Sequence, residues 1–207
     1  MIYTLDRKAS APLPHPANRA VSKKRLSDSN DDLSYWLKQP AAFRLAAAEQ
    51  LRAQYSLLVQ MKLTTNFQDF VKKLNASDVE YIIAGGFAVA VYGYPRYTGD
   101  IDIWINPTEE NARKVMPVLR EIGYDEQQVN LEDLTTLDIV VQLGYPPNRI
   151  DLATGLAGVD FETCWENKAI MPYGDTMANF ISLDDLKKNK LATARQQDLL
   201  DLQNLPK

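Results

Sequence analysis

The chain has 207 residues, 45% of them hydrophobic, enough to bury one substantial core and an appendage. Its net charge of −4 is uneven: residues 1–60 carry +4 and residues 61–207 carry −8, so the main part is poorly suited to broad, sequence-independent nucleic-acid binding. The only cysteine, Cys164, excludes an internal disulfide, and the only histidine, His15 between Pro14 and Pro16, excludes a His-based triad or zinc site in the core.

Residues 1–30, with three prolines, many small polar residues and the basic run "SKKR", are expected to be a disordered tail. Residues 31–60 are expected to be a helical extension. Asp31 and Asp32 can cap "LSYWL", and Pro40 suits the first turn of a second helix. In that helix Phe43, Ala47, Leu51, Tyr55 and Leu58 recur at helical spacing. Such a stripe must dock, either on the chain's own main domain or on a helical partner protein.

Residues 61–207 read as one α/β domain. A helix follows Thr64, with Phe67, Phe70, Val71 and Leu74 on one face, then the strand "VEYIIAG". "GFAVAVYG" is a short helix stopped by Gly93, and "DIDIWIN" is a strand. A helix spans Thr108 to Ile122, stopped by Gly123, and "LDIVVQL" and "RIDLAT" are strands. A short helix over 160–167 precedes the strands "KAIMPY" and "ANFIS". The capping box "SLDD", Ser182 to Asp185, opens a helix to about Ala194, and a last helix covers Gln196 to Leu205. The expected architecture is a mixed, mostly antiparallel sheet flanked by helices.

Two oddities stand out within Tyr81–Asn106. Gly85 and Gly86 adjoin where a strand ends and a helix begins, so backbone N–H groups there are open to a phosphate; a tight turn is the plainer reading. Asp100 and Asp102 are two apart on a strand and share a face, while Ile101, Ile103 and Ile105 share the other. Neighbouring carboxylates raise each other's pKa unless a cation intervenes, and hard oxygen ligands suit magnesium. Two solvated acids on an open face are the alternative. "NRIDLAT" adds Asp151 on another strand, flanked by Ile150 and Leu152. Three aspartates on neighbouring strands beside such a turn would hold two magnesium ions for in-line displacement at phosphorus.

These motifs resemble the nucleotidyltransferase superfamily related to DNA polymerase beta, whose signature is a Gly-Gly or Gly-Ser pair, a spacer, then Asp-apolar-Asp or Asp-apolar-Glu. Here the spacer between Gly86 and Asp100 is thirteen residues. More narrowly, the chain resembles the small bacterial nucleotidyltransferases grouped with the AbiEii/AbiGii toxins. Their Arg-x-Thr-x-Asp-apolar-Asp run matches Arg96, Thr98, Asp100 and Asp102, and their "RIDL" matches Arg149 to Leu152. The style of "GVDFETCWENK" and the closing pattern through Ser182, Asp184, Asp185, Lys190, Arg195 and Asp198 also agree.

The resemblance implies a nucleotidyltransferase-type fold over residues 61–207 and Mg²⁺-dependent transfer of an NMP from an NTP to an acceptor hydroxyl. Two Mg²⁺ ions are implied, with Mn²⁺ as the alternative. Asp100, Asp102 and Asp151 would be the metal-binding and catalytic residues. Gly85, Gly86, Arg96, Lys190 and Arg195 would bind the nucleotide. Lys190 has a plainer reading too, as a solvated lysine in "KKNK". Related chains often carry lysine just before the last aspartate, where this one has Gln197, leaving Asp198 to pair with Arg195. The acceptor would be tRNA or other RNA, a protein or a small molecule, and the setting a cytoplasmic toxin–antitoxin system with an antitoxin partner. The rival is a catalytically silent nucleotide-binding or antitoxin-like module, against which the intact aspartate trio speaks.

Overall fold

The computed structural model describes residues 21–25, 65–96, 98–145 and 148–207. The expected helical extension over 31–60 lies outside the described residues, as does the expected tail apart from Val21–Arg25. That segment is a strand, β1, which departs from the disordered tail expected over residues 1–30. Its run of polar and charged residues carries no apolar alternation from which a strand could be read. It forms because β4 (Ile139–Leu143) offers an edge, and the two pair antiparallel from Val21↔Leu143 to Arg25↔Ile139.

The other strands are β2 (Tyr81–Ile83), β3 (Asp100–Ile105), β5 (Arg149–Ala153), β6 (Ala169–Tyr173) and β7 (Thr176–Phe180). They join one sheet in the order β1-β4-β5-β3-β2-β7-β6. β3 with β5 and β2 with β7 are parallel, and the remaining neighbours are antiparallel, so the sheet is mixed and mostly antiparallel as expected. The helices are α1 (Thr65–Ala76), α2 (Gly85–Val91), α3 (Glu109–Glu121), α4 (Leu131–Thr135), α5 (Phe161–Asn167), α6 (Leu183–Thr193) and α7 (Gln196–Asn204). None of the described helices is long and apolar enough to cross a membrane.

The helix starts follow their caps. Thr108 accepts from the Asn111 amide ahead of α3, and Ser182 from the Asp185 amide ahead of α6. The short α4 was not expected. Its signal is a capping box in which Asn130 and Asp133 bond each other's backbone amides, with Asp in place of the usual Glu or Gln.

The alternation in β3 sorts its side chains as anticipated. Ile101, Ile103 and Ile105 are fully buried in the core, with Phe67, Phe70, Val71 and Leu74 of α1 also buried. α1 lies beside α3 and β7, while α2 lies beside β3 and α6. Asp100 and Asp102 therefore look out from the sheet face opposite the isoleucines, toward the side where α2 begins.

Candidate active site

Strand register assembles the site. In the parallel β3–β5 pair, Asp100 lies beside Arg149 and Asp102 beside Asp151. In the antiparallel β4–β5 pair, Gln142 lies beside Asp151. Residues side by side in a sheet share a face, so Asp100, Asp102 and Asp151 come together with Arg149 and Gln142.

The glycines stand against this face. The Ala84 amide donates to the Asp102 carbonyl at 3.0 Å, which brings the start of α2 onto β3. Gly85 has φ +57°, and a Cβ there would fall 1.8 Å from Asp102 Oδ2. At Gly86 a Cβ would fall 2.8 Å from the Thr98 Cβ. The Gly-Gly pair is thus required by close approach to the carboxylate face, and at Gly85 also by backbone conformation.

Each carboxylate has different company. The Thr98 hydroxyl is 2.7 Å from Asp100 Oδ1 and donates to it. The Arg149 guanidinium bridges two acids: Nε donates to Asp151 Oδ1 at 2.7 Å, Nη2 lies 3.2 Å from Asp151 Oδ2, and Nη2 also contacts Asp100 Oδ2. Gln142 Nε2 donates to Asp151 Oδ2 at 2.9 Å. Burial, then the Asp100 charge, pushes the Asp151 carboxyl above its ordinary value, against the pull of Arg149 and Gln142. Among the described residues no comparable donor reaches Asp102, and its carboxyl is pushed up to about 7 by burial first, then by Asp100 and Asp151. Lys190 and Arg195 pull the other way.

Those two cations belong to a second cluster. Lys190, only 2% exposed, places Nζ 2.6 Å from Asp198 Oδ1 and 3.0 Å from Asp201 Oδ2. Arg195 Nε donates to Asp198 Oδ2 at 2.7 Å, as does the Thr193 hydroxyl at 2.7 Å. Arg96 forms a two-pronged pair with Asp201, Nε–Oδ1 2.8 Å and Nη2–Oδ2 3.0 Å. Burial alone would raise Asp198, but Arg195 and Lys190 outweigh it and hold the carboxyl at about 2. The solvated reading of Lys190 therefore fails, since its ammonium is enclosed between two carboxylates of α7. The expected Arg195–Asp198 pair is present, and Gln197 donates to Asp201 Oδ1 at 3.1 Å.

The structure brings together Gly85, Gly86, Asp100, Asp102 and Asp151, with Lys190 and Arg195 close enough to act on Asp102 electrostatically. Arg96, Lys190 and Arg195 are each held by acids of α7. Thr98, Gln142, Arg149 and Asp201 were not singled out as functional from sequence. Arg149 was readable, two residues before Asp151 on one strand and so on its face, whereas Gln142 needed the β4–β5 register. Among the described residues, no three acidic, His or Cys side chains already close around one point as a formed cation site. The Arg149 guanidinium instead lies between Asp100 and Asp151. The donor chemistry still suits a hard divalent cation: three carboxylates share one face, and the half-buried Asp102 has its charge opposed by burial and by two acids.

The fold and this face define the class at the level of architecture: an α/β domain with a mixed sheet carrying a carboxylate cluster at a strand–helix turn. No protein-family model matches the chain, and no curated protein matches it. Among solved structures it is similar to the crystal structure of a protein from Thermotoga maritima described as a "putative nucleotidyltransferase". The identity is 15% and the TM-score 0.45, covering 66% of this chain and 88% of that one.

Proposed function

We propose that this chain is a nucleotidyltransferase that moves an NMP from an NTP to an acceptor hydroxyl. The observation that carries the reading is the β3–β5 register, which sets Asp102 beside Asp151 on the face met by Gly85. In the reaction the acceptor oxygen bonds to the α-phosphorus, the bond to pyrophosphate breaks, and the acceptor proton passes to Asp151. Gly85 and Gly86 carry no side chain of their own and so would leave their backbone to the triphosphate beside the carboxylate face, while Lys190 and Arg195 supply positive charge behind Asp102. Asp100, Asp102 and Asp151 would hold two Mg²⁺ ions, or Mn²⁺, which supply charge neutralisation at the attacking and leaving oxygens. Ligation by Asp100 and Asp151 would compete with Arg149, whose guanidinium bridges the two acids.

The acceptor is an RNA such as tRNA, a protein or a small molecule, and a toxin–antitoxin role with an antitoxin partner in the cytoplasm is the biological setting we propose. The test incubates the full chain with each α-labelled NTP, magnesium and cell lysate, and asks which fraction takes up label. Label in one class, lost in Asp100→Asn/Asp102→Asn, is the expected result. No transfer from any of the NTPs would overturn the reading.

A further inference from the structure

Asp201 has no part in the chemistry above, yet its side chain is fully buried and saturated with donors. Oδ1 accepts from Arg96 Nε at 2.8 Å and Gln197 Nε2 at 3.1 Å; Oδ2 lies 3.0 Å from both Arg96 Nη2 and Lys190 Nζ. Its two cationic partners come from different elements: Arg96 from the segment leading into β3, and Lys190 from α6. Three parts of the chain that share no sheet ladder are joined at one carboxylate.

Buried ion clusters are a poor route to stability, because desolvation offsets most of the attraction. What a two-pronged guanidinium–carboxylate pair supplies is orientation, since the planar fork fits in one way. The place it orients is telling. Two residues beyond Arg96, Thr98 donates to Asp100 Oδ1 at 2.7 Å and packs against Gly86 so closely that a Cβ there would clash. Because a single residue separates Arg96 from Thr98 in the chain, holding Arg96 limits where Thr98 can sit against the Asp100 carboxylate and Gly86.

We infer that Asp201 is a positioning residue for the carboxylate face, acting through its grip on Arg96 to hold Thr98 against Asp100. The inference rests on the transfer reading above for its kinetic consequence but not for its structural one. It gives Arg96 a role distinct from touching the triphosphate, and the two roles differ in kinetics. A positioning role lowers kcat with KM for the NTP little changed, whereas a phosphate contact in the ground state raises KM.

The experiment compares wild type, Asp201→Asn, Arg96→Lys, Thr98→Val and the Asp201→Asn/Thr98→Val pair in the full chain. Cooperative melts establish which variants fold. Hydrogen exchange of the peptide covering residues 94–104 is measured with steady-state transfer from the labelled NTP that wild type uses. Both Asp201→Asn and Arg96→Lys should speed exchange of that peptide while leaving the β5 peptide unchanged. Both should lower kcat by on the order of 100-fold, the penalty of an ångström-scale misplacement, with KM within about threefold. Adding Thr98→Val to Asp201→Asn should cost little more, because both act through one link. Unchanged exchange at 94–104, a raised KM with kcat intact, or multiplicative effects of the pair would overturn the inference. Should Asp201→Asn not fold, Arg96→Lys carries the same measurement, since it keeps the charge and loses the fork. A wild type without transfer would sink the transfer reading alone, and the exchange result would still decide whether Asp201 holds the lead-in to Asp100.

Discussion

Replacing Gly85 with alanine tests the link between the glycine pair and the carboxylates most directly. Two penalties are expected. At φ +57° an L side chain costs roughly 1–2 kcal/mol in the backbone. The new methyl would also fall 1.8 Å from Asp102 Oδ2 and 2.6 Å from its Cγ, so the carboxylate or the start of α2 must move. Overpacking of this kind costs about 1–3 kcal/mol, giving about 2–5 kcal/mol in total. Gly93 supplies the control, because its φ is +97° and a Cβ there meets nothing within 4 Å. Gly93→Ala should therefore show backbone strain alone. Urea denaturation with equal m-values gives the loss in each variant. Relative to Asp102→Ala alone, adding Gly85→Ala should cost at least about 1 kcal/mol less than it does in the wild type, because the obstructing carboxylate is gone. The same cost of Gly85→Ala with and without the Asp102 carboxylate would refute the close approach of Gly85 to Asp102.

Three further outcomes are expected. In metal-free protein the folded Asp102 carboxyl sits at about 7 against an ordinary 3.8, so between these pH values the folded chain keeps a proton the unfolded chain has lost. Stability should fall as pH rises across that window, and urea midpoints across it should show a flatter slope for Asp102→Asn; an unchanged slope would refute the assignment. Lys190→Met leaves Asp198 and Asp201 buried without their shared ammonium and should cost about 3–5 kcal/mol in denaturation, whereas a loss under about 1 kcal/mol would mean the cluster is open to water. Asp151→Asn points an amide NH₂ at Arg149 or Gln142, both already donors, so it should lose about 1–3 kcal/mol of stability. The same variant should lower transfer by about 100- to 10,000-fold, and a near wild-type rate would remove Asp151 from the mechanism.

What could be read from sequence was whatever a single element decides. The period of two in "DIDIWIN" assigned Asp100 and Asp102 to one face and the isoleucines to the other, because alternation is a property of one strand. The cap at Ser182 was local for the same reason. Pairing is not local. That β3 and β5 run parallel in the register Asp102↔Asp151, and that Gln142 joins them from β4, depends on strands up to 49 residues apart in sequence meeting in one order. Lys190 shows the limit most clearly. In "KKNK" it resembles its neighbours, and only the fold of α7 back over α6 encloses it between acids eight and eleven residues further on.

The same distinction explains how a face with three aspartates survives in the folded chain. Like charges on adjacent strands oppose folding unless something offsets them. The chain offsets each differently: Asp100 by the Thr98 hydroxyl and Arg149, Asp151 by Arg149 and Gln142, and Asp102 by the charges of Lys190 and Arg195 from the second cluster. Asp102 has the most indirect compensation of the three, and burial with the two neighbouring acids pushes its carboxyl up to about 7. It is also the acid against which Gly85 is pressed. The oddity of the glycines and that of the alternating aspartates thus meet at one side chain, where the chain itself supplies least neutralisation.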